Sequence, residues 1–429
     1  MYKEIIDFSS TYKRFHTPGH SGRDIDGMIY ASAKYDITEL SFSDNLQSPS
    51  GIIKDVEERL KSAYSSHRSL IVTSGASVAI QIALLIAKEM KGELYVFGKA
   101  HKSCYAFASL IGLGIYEISS AEEAVSAAER GEYIFVTTPD YFGRVVDIDR
   151  ILEKRRNGAA VIVDEAHGSH FAFSRLFPVS NASRADITID SLHKTLPVMT
   201  GGACLNVNGE YLSSLAEYFR AKIHTTSPSY LTMESIDHAV SVMSKDGERL
   251  YAETFVKVKG FKEKLATKYS FLDNADFSRV VIETPNAKRV AKYLEEKGTF
   301  IELSTDKEMT LIVTPYNAEF LDAVADELLG YREKYAADEE VAEDEAGDGL
   351  NFSLPSAKRA VGRVKFVKIE DSVGKVSASD VAVYPPGTPM IRSGDIISKE
   401  AASAVLTNRE RIVGLVGENI AVRELCEEN

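Results

Sequence analysis

Cysteine is scarce in this chain. Cys104, Cys204 and Cys426 are the only three in 429 residues, an odd number without the spacing of a metal-ligand set. That excludes a disulfide-framed fold and a zinc ribbon, and it leads us to expect a reducing, cytoplasmic location. Long apolar runs are also missing. The most apolar stretch, Val78 to Ala87, is interrupted by Gln81 and is too short to span a bilayer. The opening Met1-Tyr2-Lys3-Glu4 runs into polar sequence with no signal-peptide core. Positive charge is in deficit, with 50 Lys and Arg against 63 Asp and Glu and a net charge of -13, which argues against a nucleic-acid partner. Seven of the acids fall between Ala336 and Gly349, without an aromatic among them, so much of the imbalance is one solvated linker. No internal repeat is visible. What remains, 44% hydrophobic and 26% charged, is the composition of a globular protein with room for about two or three domains.

The first fifty residues are rich in Gly, Pro, Ser and Asp and weak in periodicity, which predicts an irregular arm. His16 and His20 flank a Pro-Gly turn there, but no third ligand stands near and no metal site is expected. From Ile52 the pattern turns helical, with Ile53, Val56, Leu60 and Tyr64 at three- and four-residue spacing. Strand and helix then alternate. Ser69–Thr73, Leu94–Phe97, Gly114–Ile118, Tyr133–Thr137, Ala159–Val163 and Asp186–Asp190 read as strands, with helices between most of them. Strands this apolar predict an α/β fold whose mostly parallel sheet is covered on both faces. A long helix is expected from Leu231 towards Leu265, then a small α/β domain to residue 335 and a C-terminal domain. We read the domains as an arm (1–50), a large domain (51–245), a small domain (246–335), an acidic linker (336–354) and a C-terminal domain (355–429).

Ligands of such sheets bind at the carboxyl ends of the strands. His101, Thr138, Asp164 and Lys194 all fall at such ends. Lys194 sits in Ser191-Leu192-His193-Lys194-Thr195, where a hydroxyl, an imidazole and an amine follow a buried strand. That grouping suits a lysine attached to an aldehyde cofactor, because a partly desolvated lysine among donors becomes a nucleophilic amine. A solvated lysine after a strand reads the same on these five residues alone. Further upstream, Ser74-Gly75-Ala76-Ser77 lies between a strand and an apolar helix, where free N–H groups and the helix dipole favour an anion.

Taken together the motifs resemble the bacterial ornithine/lysine/arginine decarboxylases, in their short form. They are HTPGH (16–20), DITEL (36–40), DNLQSPSG (44–51), TSGAS (73–77), AHKS (100–103), TTPDYFG (137–143), VDEAHG (163–168), DSLHKTLP (190–197), TTSPSY (225–230) and YPPGTP (384–389). The resemblance implies a PLP-dependent transferase-like large domain of fold type I, with pyridoxal 5'-phosphate as cofactor. It implies Lys194 as the Schiff-base lysine, Asp164 as partner of the pyridinium nitrogen and His101 stacked on the ring. It also implies phosphate contacts from Gly75, Ala76, Ser77, Ser191 and His193, and His167 beside the cofactor. Thr226, Ser227, Ser229 and Tyr230 would reach across the two-fold interface of a homodimer.

The implied reaction is decarboxylation of a basic amino acid, arginine before lysine or ornithine, as in polyamine biosynthesis. Glu39, Asp44 and Asp140 are the carboxylates considered for the substrate's distal cation. Ala76 stands where the family often has a hydroxyl, and Gly201 where it often has Gln. Two other readings stay open, a transaminase or lyase on the same scaffold and a non-catalytic binding paralogue. A transaminase would carry an arginine clamp beyond the large domain, for which Arg279 and Arg363 are the two under consideration.

Overall fold

The computed structural model describes residues 13–15, 43–156, 158–335, 363–383 and 389–424. The motifs at 16–20 and 36–40, Glu39, the acidic run, Cys426 and residues 384–388 of the YPPGTP motif lie outside the described residues. The elements of the α/β region, in chain order, are β1 (Lys13–Phe15), α1 (Ile52–Tyr64), β2 (Arg68–Val72), α2 (Ala76–Glu89), β3 (Leu94–Phe97), α3 (Lys102–Ile111), β4 (Ile115–Ile118), α4 (Ala121–Arg130), β5 (Tyr133–Thr137), α5 (Asp149–Lys154), β6 (Ala160–Asp164), β7 (Ile187–Asp190), α6 (Leu192–Thr195) and β8 (Ala203–Val207). After α7 (Glu210–Ile223), the long α8 (Tyr230–Leu265) leads into β9 (Ser270–Phe271), β10 (Arg279–Glu283), α9 (Ala287–Glu296), β11 (Thr299–Ile301), β12 (Leu303–Ser304), β13 (Glu308–Ile312) and α10 (Leu321–Tyr335).

A seven-stranded sheet runs in the order β2-β8-β7-β6-β5-β3-β4. β3 is parallel to both β4 and β5, while β8 is antiparallel to β7 and β2. The reversal at β8 goes with the link from Asp190 to Ala203, which holds only the one-turn α6 and no helix long enough to run back along the sheet. Every residue of β6, β7 and β8 is buried, including the polar Thr188, Asp190 and Asn206. The fold is the pyridoxal-phosphate type I fold expected from the sequence. Among the described residues no helix is long and apolar enough to cross a membrane.

The chain divides into two compact units, one drawn from Met1–Ala79, Thr138–Asp147 and Val163–Val341, the other from Ile80–Thr137, Ile148–Ile162 and Ala342–Asn429. In the first unit one core gathers α1 and the first half of α8, where Ile53, Val56, Leu60, Met233, Ile236 and Met243 meet Phe171, Phe173 and Phe177. A second core is the small α/β domain, whose sheet runs β12-β13-β10-β9 and packs against the end of α8, α9 and α10. Part of the expected irregular arm is ordered into it. β1 pairs in parallel with β11, and Phe15 is fully buried in this core. The second unit carries a C-terminal module of β14 (Arg363–Lys368), β15 (Val376–Ser377), β16 (Val381–Val383), β17 (Pro389–Ile391), α11 (Lys399–Thr407), β18 (Ile412–Val413) and β19 (Asn419–Glu424). Its two three-stranded sheets, β14-β19-β15 and β17-β16-β18, enclose a small core with α11.

Asp44 takes a structural part. Its carboxylate accepts the backbone N–H groups of Ser50, Gly51 and Ile53 at 2.7–3.1 Å and so caps the start of α1. Burial raises its pKa a little, and the N–H donors outweigh that and hold it below the usual carboxylate range. The first unit also depends on a buried ion pair. Glu57 of α1 is fully buried and bonds Arg220 of α7, Arg68 of β2 (3.1 Å) and the N–H of Ile71 (3.1 Å). Removing one member leaves buried charge uncompensated. Glu57→Gln is therefore expected to lower stability by about 3–5 kcal/mol in urea unfolding of the full chain. A midpoint equal to wild type would show that the pair is dispensable.

Candidate active site

The site is built at the ends of β6 and β7. Asp164 closes β6 and is buried; the Ala166 N–H reaches its Oδ1 at 3.2 Å and the Thr138 N–H donates to its carbonyl at 3.1 Å. The turn that follows is pinned by Glu165, fully buried, which accepts the Ser180 hydroxyl (2.6 Å), the Asn181 N–H (3.0 Å) and the Asn181 amide (2.8 Å). Burial pushes the Glu165 carboxyl up to about 7 against those donors. Gly168 ends the turn, where a Cβ would stand 2.7 Å from Pro139 Cδ and 2.8 Å from Glu165 Cγ, so only glycine fits. Thus the VDEAHG motif combines one carboxylate for the site, one anchor and one close approach.

Lys194 lies on the short α6. Its Nζ is 3.0 Å from His167 Nε2 and 5.8 Å from the centre of the Tyr141 ring. The Tyr141 and His167 rings are 4.3 Å apart at 52°. On its other side His167 meets Arg279, the first residue of β10, whose Nη2 lies 2.8 Å from His167 Nδ1 and donates to the His167 carbonyl at 3.2 Å. Arg279 is fully buried, and its Nε and Nη1 have no partner among the described residues. Burial lowers the Lys194 pKa and Arg279 lowers it further, opposed by Asp164 and Glu302. Burial likewise raises the Asp164 carboxyl, opposed by Lys194 and the Ala166 N–H. Burial pushes both groups towards neutrality, and each favours the charged form of the other.

The upstream loop joins this group through Gly201 and Gly202. Gly75 N–H donates to the Gly201 carbonyl (2.8 Å) and His193 N–H to the Gly202 carbonyl (3.2 Å). α2 starts at Ala76, with Ser77 in its first turn, and the space beside Gly75 is open, since a Cβ there would meet no atom within 4 Å. Ser191, which precedes α6, is buried. Gly201 has φ +95° and a Cβ on it would stand 2.9 Å from the Thr73 carbonyl oxygen. The position that suggested a lost glutamine is one where this backbone admits only glycine.

The first unit thus brings together Asp164, His167, Ser191, His193, Lys194, Gly75, Ala76 and Ser77. His101 belongs to the second unit, where it caps α3 by accepting the Ser103 N–H on Nδ1 (3.3 Å). The TTSPSY residues make other contacts. Ser227 N–H bonds Thr225 Oγ1 (3.1 Å), Ser229 caps α8, Tyr230 is buried with its hydroxyl on the Asp44 carbonyl (2.7 Å), and Thr226 is exposed. Asp140 accepts the N–H groups of Phe142 and Arg144 in its own turn. The sequence reading missed Tyr141, although it sits in a quoted motif, and it missed Glu302. It weighed Arg279 only as a substrate clamp, because nothing near residue 279 points to His167.

Comparison with known proteins decides the family. The family description "Orn/Lys/Arg decarboxylase, major domain" matches residues 89–285, and the family's C-terminal domain matches residues 354–407. The chain is 30% identical to the uncharacterized protein YaaO of Bacillus subtilis, over 94% of this chain and 92% of that one. The chain belongs to the Orn/Lys/Arg decarboxylase family. It is also 24% identical to the arginine decarboxylase of B. subtilis, over 92% of this chain and 90% of that one. Among solved structures the constitutive lysine decarboxylase of Escherichia coli superposes with a TM-score of 0.73 at 16% identity, covering 99% of this chain and 81% of that one.

The cofactor of this decarboxylase family is pyridoxal 5'-phosphate, and the residues present fit it. The site offers a half-buried amine, a buried carboxylate, orphaned guanidinium N–H groups and an open glycine loop at a helix start. Gly201→Gln, which would restore the residue common elsewhere in the family, is expected to cost about 1–3 kcal/mol of stability through its backbone alone. It should also weaken pyridoxal phosphate binding in a fluorescence titration. Unchanged melting and affinity would show that the Thr73–Gly201 approach is not a constraint.

Proposed function

We propose that this chain decarboxylates a basic L-amino acid, arginine first and lysine or ornithine next, with the cofactor held on Lys194. The observation that carries the reading is the half-buried Lys194 amine, on the turn of helix that follows β7, beside the buried Asp164 carboxylate at the end of the adjacent β6, in the fold of a decarboxylase family. When bound, the cofactor supplies an electron sink for the pair left on Cα as carbon dioxide departs. The residues supply attachment, orientation and proton placement. Lys194 Nζ holds the cofactor by its aldehyde carbon and returns a proton to substrate Cα. Asp164 keeps the ring nitrogen protonated, since its partner in the buried site must be cationic. The N–H groups of Ala76 and Ser77 at the start of the 14-residue α2, with Ser191 and His193, take the phosphate, and Gly75, whose own N–H is on the Gly201 carbonyl, leaves the space beside the loop open for it. His101 is assigned to the ring face and to proton transfer. Thr226, Ser227, Ser229 and Tyr230 are assigned to the dimer interface, and the protein is read as a cytoplasmic homodimer that binds neither nucleic acid nor membrane. The domain boundaries given from the sequence are kept in this reading, except that residues 13–15 of the arm are counted with the small domain.

Arginine heads the substrates because a relative named arginine decarboxylase aligns along nearly the whole chain. Asp44 drops out as a receptor for the distal cation, because its carboxylate is spent on the α1 cap. The deciding measurement is carbon dioxide release from arginine, lysine and ornithine in parallel. Release from arginine above the other two is expected. Release from none, with cofactor bound, would favour a transaminase, a lyase or a non-catalytic paralogue. Asp164→Asn is expected to retain cofactor attachment and lose turnover by on the order of a hundredfold or more, about 3 kcal/mol of barrier. Near-normal turnover would show that Asp164 is not the ring-nitrogen partner.

A further inference from the structure

The contact between Arg279 and His167 has a consequence for Lys194. A guanidinium has only donors and does not deprotonate in a protein. Arg279 Nη2 lies 2.8 Å from His167 Nδ1, so Nδ1 must present its lone pair. An imidazole that accepts at Nδ1 carries its proton at Nε2. Nε2 is the atom 3.0 Å from Lys194 Nζ, so its N–H points at the lysine nitrogen. An ammonium has no lone pair to receive that bond. The three groups satisfy one another in a single protonation state: Arg279 charged, His167 neutral with Nε2–H, and Lys194 a neutral amine.

We propose that Arg279 is a positioning residue that acts through the tautomer of His167 to hold Lys194 as an unprotonated amine, ready to bond an aldehyde carbon. The alternative states each meet a clash. The Nδ1–H tautomer and the imidazolium both turn an N–H towards the guanidinium, and a Lys194 ammonium turns one towards Nε2–H. The charged groups facing Lys194 among the described residues are Asp164 and Glu302, which favour the ammonium, and Arg279, which opposes it. The Tyr141 ring closes another side. Burial opposes the ammonium, the two carboxylates favour it, and the Arg279–His167 pair counters the carboxylates at the nitrogen itself. Arg279 is held for this task. Gly143 sits where a Cβ would stand 2.9 Å from Arg279 Cβ, and the Asn274 amide, which donates to the Phe142 carbonyl (2.7 Å), also donates to the Arg279 carbonyl (2.8 Å). Next to it Asp276 bonds His170 (3.2 Å) and Ser278 (2.6 Å) in full burial, which fixes the entry to β10.

The inference rests on the reading of Lys194 as the amine that takes up the cofactor, and it is tested without a substrate. The full chain, freed of cofactor, is mixed with pyridoxal phosphate, and the rate of appearance of the visible absorption band is followed against pH. Arg279→Met, similar in length and without the donor, is expected to slow attachment about tenfold at neutral pH and to regain the wild-type rate about one pH unit higher. His167→Phe removes the tautomer, and in that background the Arg279→Met shift should shrink to the part that direct charge repulsion accounts for. A shift of equal size in both backgrounds, or none in either, overturns the relay. Wild-type protein labelled with ¹⁵N-histidine, its His167 signal assigned by loss in His167→Phe, needs no folded variant of Arg279. At neutral pH it should show a lone-pair Nδ1 and a protonated Nε2. The opposite tautomer or an imidazolium overturns the proposal. Wild-type protein that gains no band at all would refute the function assigned to Lys194 instead, so the two failures are distinct.

Discussion

The rest of the site depends on one constraint, that a half-buried amine on α6 and a buried carboxylate at the end of β6 stand together beside adjacent strands. Neither Lys194 nor Asp164 is comfortable there alone, since burial drives the lysine towards the free amine and the aspartate towards the neutral acid. A cofactor with an aldehyde and a ring nitrogen gives both a partner. The surrounding structure keeps the pair in place. Glu165 ties the turn after β6 to Asn181, Gly168 lets that turn close against Pro139, and the antiparallel β8 brings Gly201 and Gly202 back beneath the glycine loop. Each is a backbone or buried-polar device, and each precedes any contact with substrate.

This explains two departures that the sequence raised. Ala76 and Gly201 suggested a weakened cofactor site. Gly201 turns out to be required, because its φ is positive and the Thr73 carbonyl stands where a Cβ would be. Ala76 is the first residue of α2, where the proposed phosphate contact would come from the backbone N–H, which any side chain leaves in place.

Much of the layout could be read from the residues, and for a definite reason. β6 is a short apolar run that ends in Asp164, and Lys194 follows the end of β7 within four residues, so the runs place both near strand ends, while the roles given to them came from the family resemblance. Helices α1 and α8 announce themselves through period and through the TTSPSY break. Contacts between distant segments did not show. The pairing of β1 with β11 joins residues 13–15 to 299–301 and depends on tertiary fit. Arg279 is one arginine among many in sequence, and only the fold sets it against His167. Asp44 looked available for a substrate cation because its role as a cap is built from backbone N–H groups, which carry no side-chain signature.

The central claim is that Lys194 carries the cofactor. Borohydride reduction of the coloured full-length protein, followed by digestion and mass mapping, tests it most directly. The account predicts a single pyridoxyl-phosphate adduct on Lys194, in the peptide that spans the DSLHKTLP motif. An adduct on another lysine, or none in protein saturated with pyridoxal phosphate, would contradict it.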